Sequence, residues 1–479
     1  MDTFFGRKQE ISELNDIFNS GRSEFVVVCG RRRIGKTSLI RKCFKNKISF
    51  CHTALSPEEY TSAQLAEMQL VAFATSLKNF GANLDYDPKN WLDAFHELRR
   101  LVSTFPKNKR CVIFFDEMPW LDTKDSDFMV GLESFWNGFA DGMHNIMLII
   151  TGSTTTWMKE KLLHNCGGLY GRVTQRFFLE PFTLGECEEY YKSHGISFSR
   201  YDQAVLYMAT GGVPYYVSCV EKDLSVAQNL DQIYFSKYPL LKDEFDRVCA
   251  SHGFDGEKYK LVLKTLSGNF LGYTRKEIAE LSKIPFGGSL SEVLSALEES
   301  EFIRSYTFFE GSRREVYYRL TDLFTLYWMH FLYDRTRFKP DYFVSLVGSK
   351  KVREWQDIAF KNICFEHREQ IAKALGISGI FNRFLPWQFK GDEYYESAQV
   401  DMAIDRADNI VCFCEMKFCD GEFEVSEDYD MELRHKQQTF IDQSKSKKGL
   451  NMVLITTFGV QNNMYYSNFQ HTVILDELF

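Results

Sequence analysis

Phe25-Val26-Val27-Val28-Cys29-Gly30-Arg31-Arg32-Arg33-Ile34-Gly35-Lys36-Thr37-Ser38-Leu39-Ile40 is the stretch on which the reading of the chain turns. An apolar run rich in β-branched residues predicts a buried strand, Gly30-x-x-x-x-Gly35-Lys36-Thr37 a turn, and Ser38 onward a helix. The two glycines let the loop curl until successive backbone N–H groups point inward, and the following helix directs its positive end at the same place. This is the chemistry of a phosphate cradle. Gly30, Arg31, Arg32, Arg33, Ile34, Gly35, Lys36, Thr37 and Ser38 would hold a nucleotide, with Lys36 on the β- and γ-phosphates and Thr37 on the accompanying Mg²⁺.

Working outward, 479 residues are too many for one core, since domains usually hold about 100 to 200. Hydrophobic residues make up 44% and charged residues 25%, an ordinary globular balance, although 43 Phe and 24 Tyr make the cores unusually aromatic. No apolar run reaches the roughly 18 residues that span a bilayer, and the N-terminus lacks a signal-peptide pattern, so a cytoplasmic protein with no membrane partner is expected. The twelve cysteines are scattered and several sit in apolar runs, which suits reduced thiols. Cys412, Cys414 and Cys419 lack the Cys-x-x-Cys pair or nearby His of a zinc set. A net charge of −8 argues against a nucleic-acid binder that is basic over its whole surface, while leaving room for a local basic groove.

About 80 residues after the loop, Cys111-Val112-Ile113-Phe114-Phe115-Asp116-Glu117 reads as a second buried strand ending in two acids. In a parallel sheet such an end faces the ligand. Asp116 would hold Mg²⁺ through water, and Glu117 would orient or deprotonate the attacking water. A third strand, Ile146 to Ser153, ends in polar residues, with Ser153 placed to sense the γ-phosphate. Arg172 could reach a phosphate in cis or from a neighbouring copy in a homo-oligomer, or be a plain surface arginine. Gly211-Gly212-Val213-Pro214 interrupts a helical pattern between residues 201 and 222, as a small helical lid would.

Together the Gly30–Thr37 loop, the Asp116-Glu117 pair, the Thr151-Gly152-Ser153 strand end and the Gly-Gly-x-Pro element resemble bacterial and archaeal AAA-type ATPases of the STAND group. That resemblance implies ATP as the nucleotide and a regulatory switch. It also implies a place for Gly211 to Pro214 in the lid and a winged helix downstream. Residues 256–335 do read as three helices followed by two strands, with Thr274 and Glu277 forming a capping box. The third helix, from Ser289, carries Glu292, Glu298 and Glu299 and no Lys or Arg, so it would repel DNA phosphates. Arg313 and Arg314 fall in the wing. A relay or packing module is the better expectation, with a DNA-reading transcription regulator ranked last. Leu323 to Leu332 is apolar nearly all round and should be a buried helix.

The last segment offers a second constellation. Gln399 to Arg406 and Ile410 to Lys417 read as a hairpin in which Glu415 and Lys417 share a face and Asp401 can meet them. The arrangement resembles the PD-(D/E)XK nucleases. On that resemblance Asp401 and Glu415 would be metal ligands, and Lys417 would position the attacking water. Related ATPases place a glutamate where this chain has Lys361; Asp357, one turn earlier, could substitute, or Lys361 could touch phosphate in a domain that binds DNA or RNA without cutting it.

The expected architecture is therefore α/β. A P-loop NTPase with a parallel sheet (1–200) is followed by a helical lid (201–240), a winged helix (241–335) and a C-terminal α/β nuclease-like domain (336–479). The expected function is an ATP-hydrolysing switch driving a metal-dependent nuclease-like effector. The alternative is a signalling or assembly ATPase whose last domain is an inactive binding module.

Overall fold

A computed structural model describes residues 4–479 except 57–61, 125, 154, 159–160, 163–166, 252–253, 255, 311–314, 336–338, 394 and 445. Arg313 and Arg314 of the expected wing lie outside the described residues. The chain divides into two compact units, residues 1–181 with 251–253, and 182–250 with 254–479.

The first unit is built on a parallel sheet of β1 (Glu24–Gly30), β2 (Ile48–Thr53), β3 (Cys111–Asp116), β4 (Ile146–Gly152) and β5 (Gln175–Leu179), in the order β2-β3-β4-β1-β5. Every residue of β1, β3 and β4 is buried. Alternation sends Phe25, Val27, Cys29, Ile113 and Phe115 into one core and Val26, Val28, Val112 and Phe114 into another, as a sheet covered on both faces requires. The two edge strands, β2 and β5, carry exposed positions and so lack the continuous apolar run that marks the central three. They have no counterpart in the sequence reading for that reason.

Strand order matters for function. β4 pairs with both β1 and β3, so the polar end of β4 stands between the phosphate loop and the acidic strand end.

The second unit opens with the helices Leu184–Ser193, Arg200–Thr210, Pro214–Val217 and Val226–Tyr234. Three further helices, Glu257–Leu266, Arg275–Ser282 and Gly288–Glu299, accompany a small antiparallel sheet of β6 (Tyr273–Thr274), β7 (Ile303–Tyr306) and β8 (Tyr317–Leu320). The Thr274–Glu277 capping box forms. The helix Leu323–Phe331 is buried at every residue but His330 and packs on the helices Arg200–Thr210 and Lys350–Glu366.

The helical pattern of 351–374 is two helices, Lys350–Glu366 and Arg368–Ala374, broken at His367. Buried His367 bonds the Ile363 carbonyl through Nδ1 (2.9 Å) and accepts the Leu184 N–H on Nε2 (3.1 Å). These two bonds fix its tautomer.

The C-terminal sheet consists of β9 (Asn382–Phe389), β10 (Ala398–Arg406), β11 (Ile410–Lys417), β12 (Gly449–Thr456) and β13 (His471–Ile474), in the order β13-β12-β11-β10-β9. β10 and β11 are antiparallel with Met402 opposite Cys414, and β11, β12 and β13 run parallel. The helix Lys350–Glu366 lies on β11, where Cys412, Cys414 and Met416 face the same core as Ile363. Val411 and Phe413 face the other core with Leu433 and Phe440 of the helix Glu427–Gln443. The described cysteines are all free thiols, and no helix among the described residues is long and apolar enough to cross a membrane.

Candidate functional site

Two constellations emerge, one in each unit. In the first, the loop after β1 turns on Gly30 (φ 152°), Arg33 (φ 70°) and Gly35 (φ 94°). A side chain at Gly30 would bring its Cβ to 2.8 Å from the Leu179 carbonyl oxygen, so only glycine lets β5 pair this closely. The helix Lys36–Phe44 follows at once.

Lys36 is buried, and its ammonium donates to the carbonyls of Gly30 (3.0 Å) and Arg31 (3.2 Å) and to Ser153 Oγ (3.0 Å). Burial pulls its pKa down, opposed by the charges of Glu117 and Asp116. Thr37 Oγ1 donates to the Asp116 carboxylate at 2.9 Å. Burial raises the Asp116 pKa, while hydrogen bonds from Thr151 and Thr37 oppose the rise. Glu117, with φ 54° in the left-handed region, accepts from Ser153 Oγ (2.8 Å) and Ser153 N–H (3.1 Å) and lies 3.7 Å from Lys36 Nζ.

The structure thus brings Gly30, Lys36, Thr37, Asp116, Glu117 and Ser153 into one site, with Arg31 to Gly35 forming the loop and Ser38 exposed on the first helical turn. Arg172 does not join them. It precedes β5 at the amino edge of the parallel sheet, opposite the phosphate loop, and pairs with Asp141 at 3.2 Å. A phosphate contact in cis is closed to it by the length of the strands.

Two residues in this site have no assigned role in the sequence reading. Thr151 Oγ1 donates to Asp116 Oδ1 (2.6 Å) and accepts the Glu117 N–H (3.1 Å), so it sets both acids at once. Arg7, buried and left-handed (φ 58°), reaches the Ile34 carbonyl at 3.5 Å and also the Glu180 carbonyl, bracing the loop from behind. The Gly6-Arg7 pair ahead of a helix is the signal that could have pointed to it.

Residues for the nucleotide's Mg²⁺ are present, because Thr37 and Asp116 already meet oxygen to oxygen across the site and Asp116 is an acid without a cation bonded to it among these contacts.

The second constellation lines a cleft of about 350 Å³ that includes Lys361, Gln399, Asp401, Glu415, Lys417 and Lys436. The β9–β10 register shifts between Val400 and Ala403, an irregularity that spans Asp401. Its Oδ2 accepts the Met416 N–H (3.1 Å), and its Oδ1 pairs with Lys361 Nζ (3.1 Å). Lys361 also contacts Asp357 at 3.0 Å. Burial disfavours its charge, but Asp401 and Asp357 together outweigh that and raise its pKa.

Glu415 is fully buried, with a pKa raised first by burial and then by Asp401. It accepts from Tyr429 OH (2.9 Å) and Lys436 Nζ (3.2 Å). Lys417 stands farther off, 4.0 Å from Glu415, with its ammonium over the Tyr429 ring.

Sequence reasoning placed Asp401, Glu415 and Lys417 together but not Tyr429 and Lys436. Their seven-residue spacing, two helical turns, was the available signal. The expected metal ligands Asp401 and Glu415 each meet a lysine instead of presenting open oxygens. Among the described residues no group of three or more His, Cys, Asp or Glu side chains is placed to hold a metal ion. As arranged, this second set does not fit a divalent cation.

Comparison with known proteins bears on the first constellation. Residues 4–220 match the family described as an ATPase domain predominantly from Archaea. An uncharacterised protein of Methanocaldococcus jannaschii is 24% identical over 436 residues, covering 87% of this chain and 88% of that one. An uncharacterised ATP-binding protein of the same organism is 41% identical over 44 residues, 9% of this chain and 75% of that one. Among solved structures, the Walker-type ATPase of Pyrococcus abyssi matches with a TM-score of 0.48 and 16% identity, covering 68% of this chain and 96% of that one. The chain carries an ATPase domain of the P-loop type.

Proposed function

We propose that this chain is an ATP-driven switch whose second unit carries a winged-helix relay and a nuclease-like module that engages nucleic acid. The observation that carries the ATP half is the joint hold of Ser153 on Lys36 and Glu117, which ties the phosphate-binding lysine to the water-orienting acid. On ATP binding, Lys36 would exchange the carbonyls of Gly30 and Arg31 for phosphate oxygens. Thr37 and Asp116 would hold Mg²⁺, which supplies charge neutralisation at the phosphates. Glu117 would orient the attacking water and take its proton.

For the second unit, the supporting observation is the meeting of Asp401, Glu415 and three lysines in one cleft. The Lys361–Asp401 ion pair favours binding over cutting. The second reading, metal-dependent cleavage, requires a divalent ion to displace the lysines that hold Asp401 and Glu415.

The test is to incubate labelled single- and double-stranded DNA and RNA with the full chain, with Mg²⁺ or Mn²⁺, with and without ATP, alongside Lys36→Ala and Lys417→Ala. Retention of nucleic acid that changes with ATP in wild type, but not in Lys36→Ala, and without cut product, is expected. Product that disappears in Lys417→Ala would install the second reading. No retention in any nucleotide state would remove nucleic acid from the proposal.

A further inference from the structure

The nuclease-like cleft holds its acids in an arrangement that sets it apart from a waiting metal site. Lys361 projects from the helix Lys350–Glu366 and places Nζ 3.0 Å from Asp357 Oδ2 and 3.1 Å from Asp401 Oδ1, at 12% exposure. One ammonium therefore spans two carboxylates, as a bound cation would. On the far side, Glu415 is 2% exposed and spends its oxygens on Lys436 at 3.2 Å and the Tyr429 hydroxyl at 2.9 Å. The remaining Asp401 oxygen accepts the Met416 N–H.

We propose that Lys361 is the built-in cation of this cleft, standing where a divalent ion would bridge Asp357 and Asp401, so that the cleft binds no divalent metal. This inference rests on the nuclease-like reading of the second unit and deepens it.

The physical argument is one of displacement. A divalent ion needs several open oxygens. To obtain them here it must pull two carboxylates off Lys361 and leave that ammonium buried without a partner, the costliest way to break an ion pair. Lys436 imposes the same condition at Glu415. Exchanging Lys361 for a carboxylate reverses the situation: Asp357, residue 361, Asp401 and Glu415 would then crowd acids that only a cation can reconcile.

The test is Mn²⁺ binding to the nucleotide-free full chain, read by the loss of the free Mn²⁺ electron paramagnetic resonance signal and by thermal unfolding with and without Mn²⁺. All forms carry Thr37→Ala, so that the phosphate loop contributes no site. With Lys361 present, no bound Mn²⁺ and no shift in melting temperature are expected. Lys361→Glu should bind one equivalent and gain several degrees of melting temperature with Mn²⁺, and both effects should vanish when Glu415→Gln is added. Should Lys361→Glu fail to fold without metal, Lys361→Gln, which removes the ammonium without adding charge, should still show Mn²⁺ binding that Asp401→Asn abolishes.

A stoichiometric Mn²⁺ site in the Lys361 form that disappears with Asp401→Asn overturns the inference. So does the lack of any Mn²⁺ site in both Lys361 variants. Because no nucleic acid enters this measurement, loss of nucleic-acid retention would count against the functional reading alone, and Mn²⁺ in the Lys361 form against the built-in cation alone.

Discussion

Ser153 Oγ lies 2.8 Å from Glu117 Oε1 and 3.0 Å from Lys36 Nζ, so one hydroxyl at the end of β4 donates to the carboxylate and accepts from the ammonium. On the proposed reading, in which Lys36 holds phosphate and Glu117 orients water, the two groups are registered to each other through it. Ser153→Ala keeps the backbone N–H bond to Glu117 and loses both hydroxyl contacts. A charged hydrogen bond is worth about 1.5–3 kcal/mol. A fall in kcat of about tenfold or more is expected, with the KM for ATP changed only a few-fold, measured by steady-state phosphate release.

Lys36→Ala and Glu117→Gln should separate binding from chemistry. On the proposed reading Lys36 contacts the β- and γ-phosphates, so its loss should abolish nucleotide binding in a fluorescent-ATP titration. Glu117→Gln keeps shape and hydrogen bonding, so ATP should still bind while kcat drops by roughly 10²-fold or more, the usual yield of a general base. Equal loss of binding in both variants would contradict the assigned roles.

Thr151→Val tests the residue that sets both acids. It retains the β-branched fill of β4 but removes the bonds to Asp116 Oδ1 and the Glu117 N–H. Hydrolysis should fall about tenfold and the Mg²⁺ concentration for half-maximal rate should rise, since Asp116 loses its orientation. An unchanged Mg²⁺ profile would limit Thr151 to packing.

His52 makes the first unit sensitive to acid. It is buried, its Nδ1 bonds Ser76 Oγ (2.9 Å), and burial lowers its pKa from 6.5 to about 4. The folded state therefore keeps His52 neutral while the unfolded chain takes up a proton as pH falls below about 6.5. The unfolded state binds more protons between those values, so stability rises with pH there and is lost as pH falls from about 6.5 to about 4, by roughly 3 kcal/mol. His52→Gln should flatten that part of the curve in urea unfolding measured between pH 4 and 7.

Gly30→Ala should destabilise the first unit without touching a charged group. The Cβ would press on the Leu179 carbonyl oxygen at 2.8 Å, and φ 152° strains any side chain. A cost of about 1–3 kcal/mol, read as a lower unfolding midpoint, is expected.

The phosphate loop and the acidic strand were legible because each is a local pattern: a buried strand, then residues at fixed spacing. Asp401, Glu415 and Lys417 were legible from strand alternation. The break at His367 was not, because the helical periodicity of 351–374 runs through it. It depends on a bond to Leu184, 183 residues away in sequence. The edge strands β2 and β5 were silent because partial exposure mixes polar residues into them.

By itself, then, the sequence determined which residues could bind phosphate and which strands carry them, since spacing and hydrophobic period act over a few residues. Only the tertiary structure decided their company. The insertion of β4 between β1 and β3 makes Thr151 and Ser153 the link between the two motifs. The strand register leaves Arg172 at the amino edge, away from the phosphate loop of its own chain. Helix packing on β11 brings Lys361 to Asp401. Each is a contact between segments far apart in the chain, where geometry, not local pattern, fixes what a charged side chain meets.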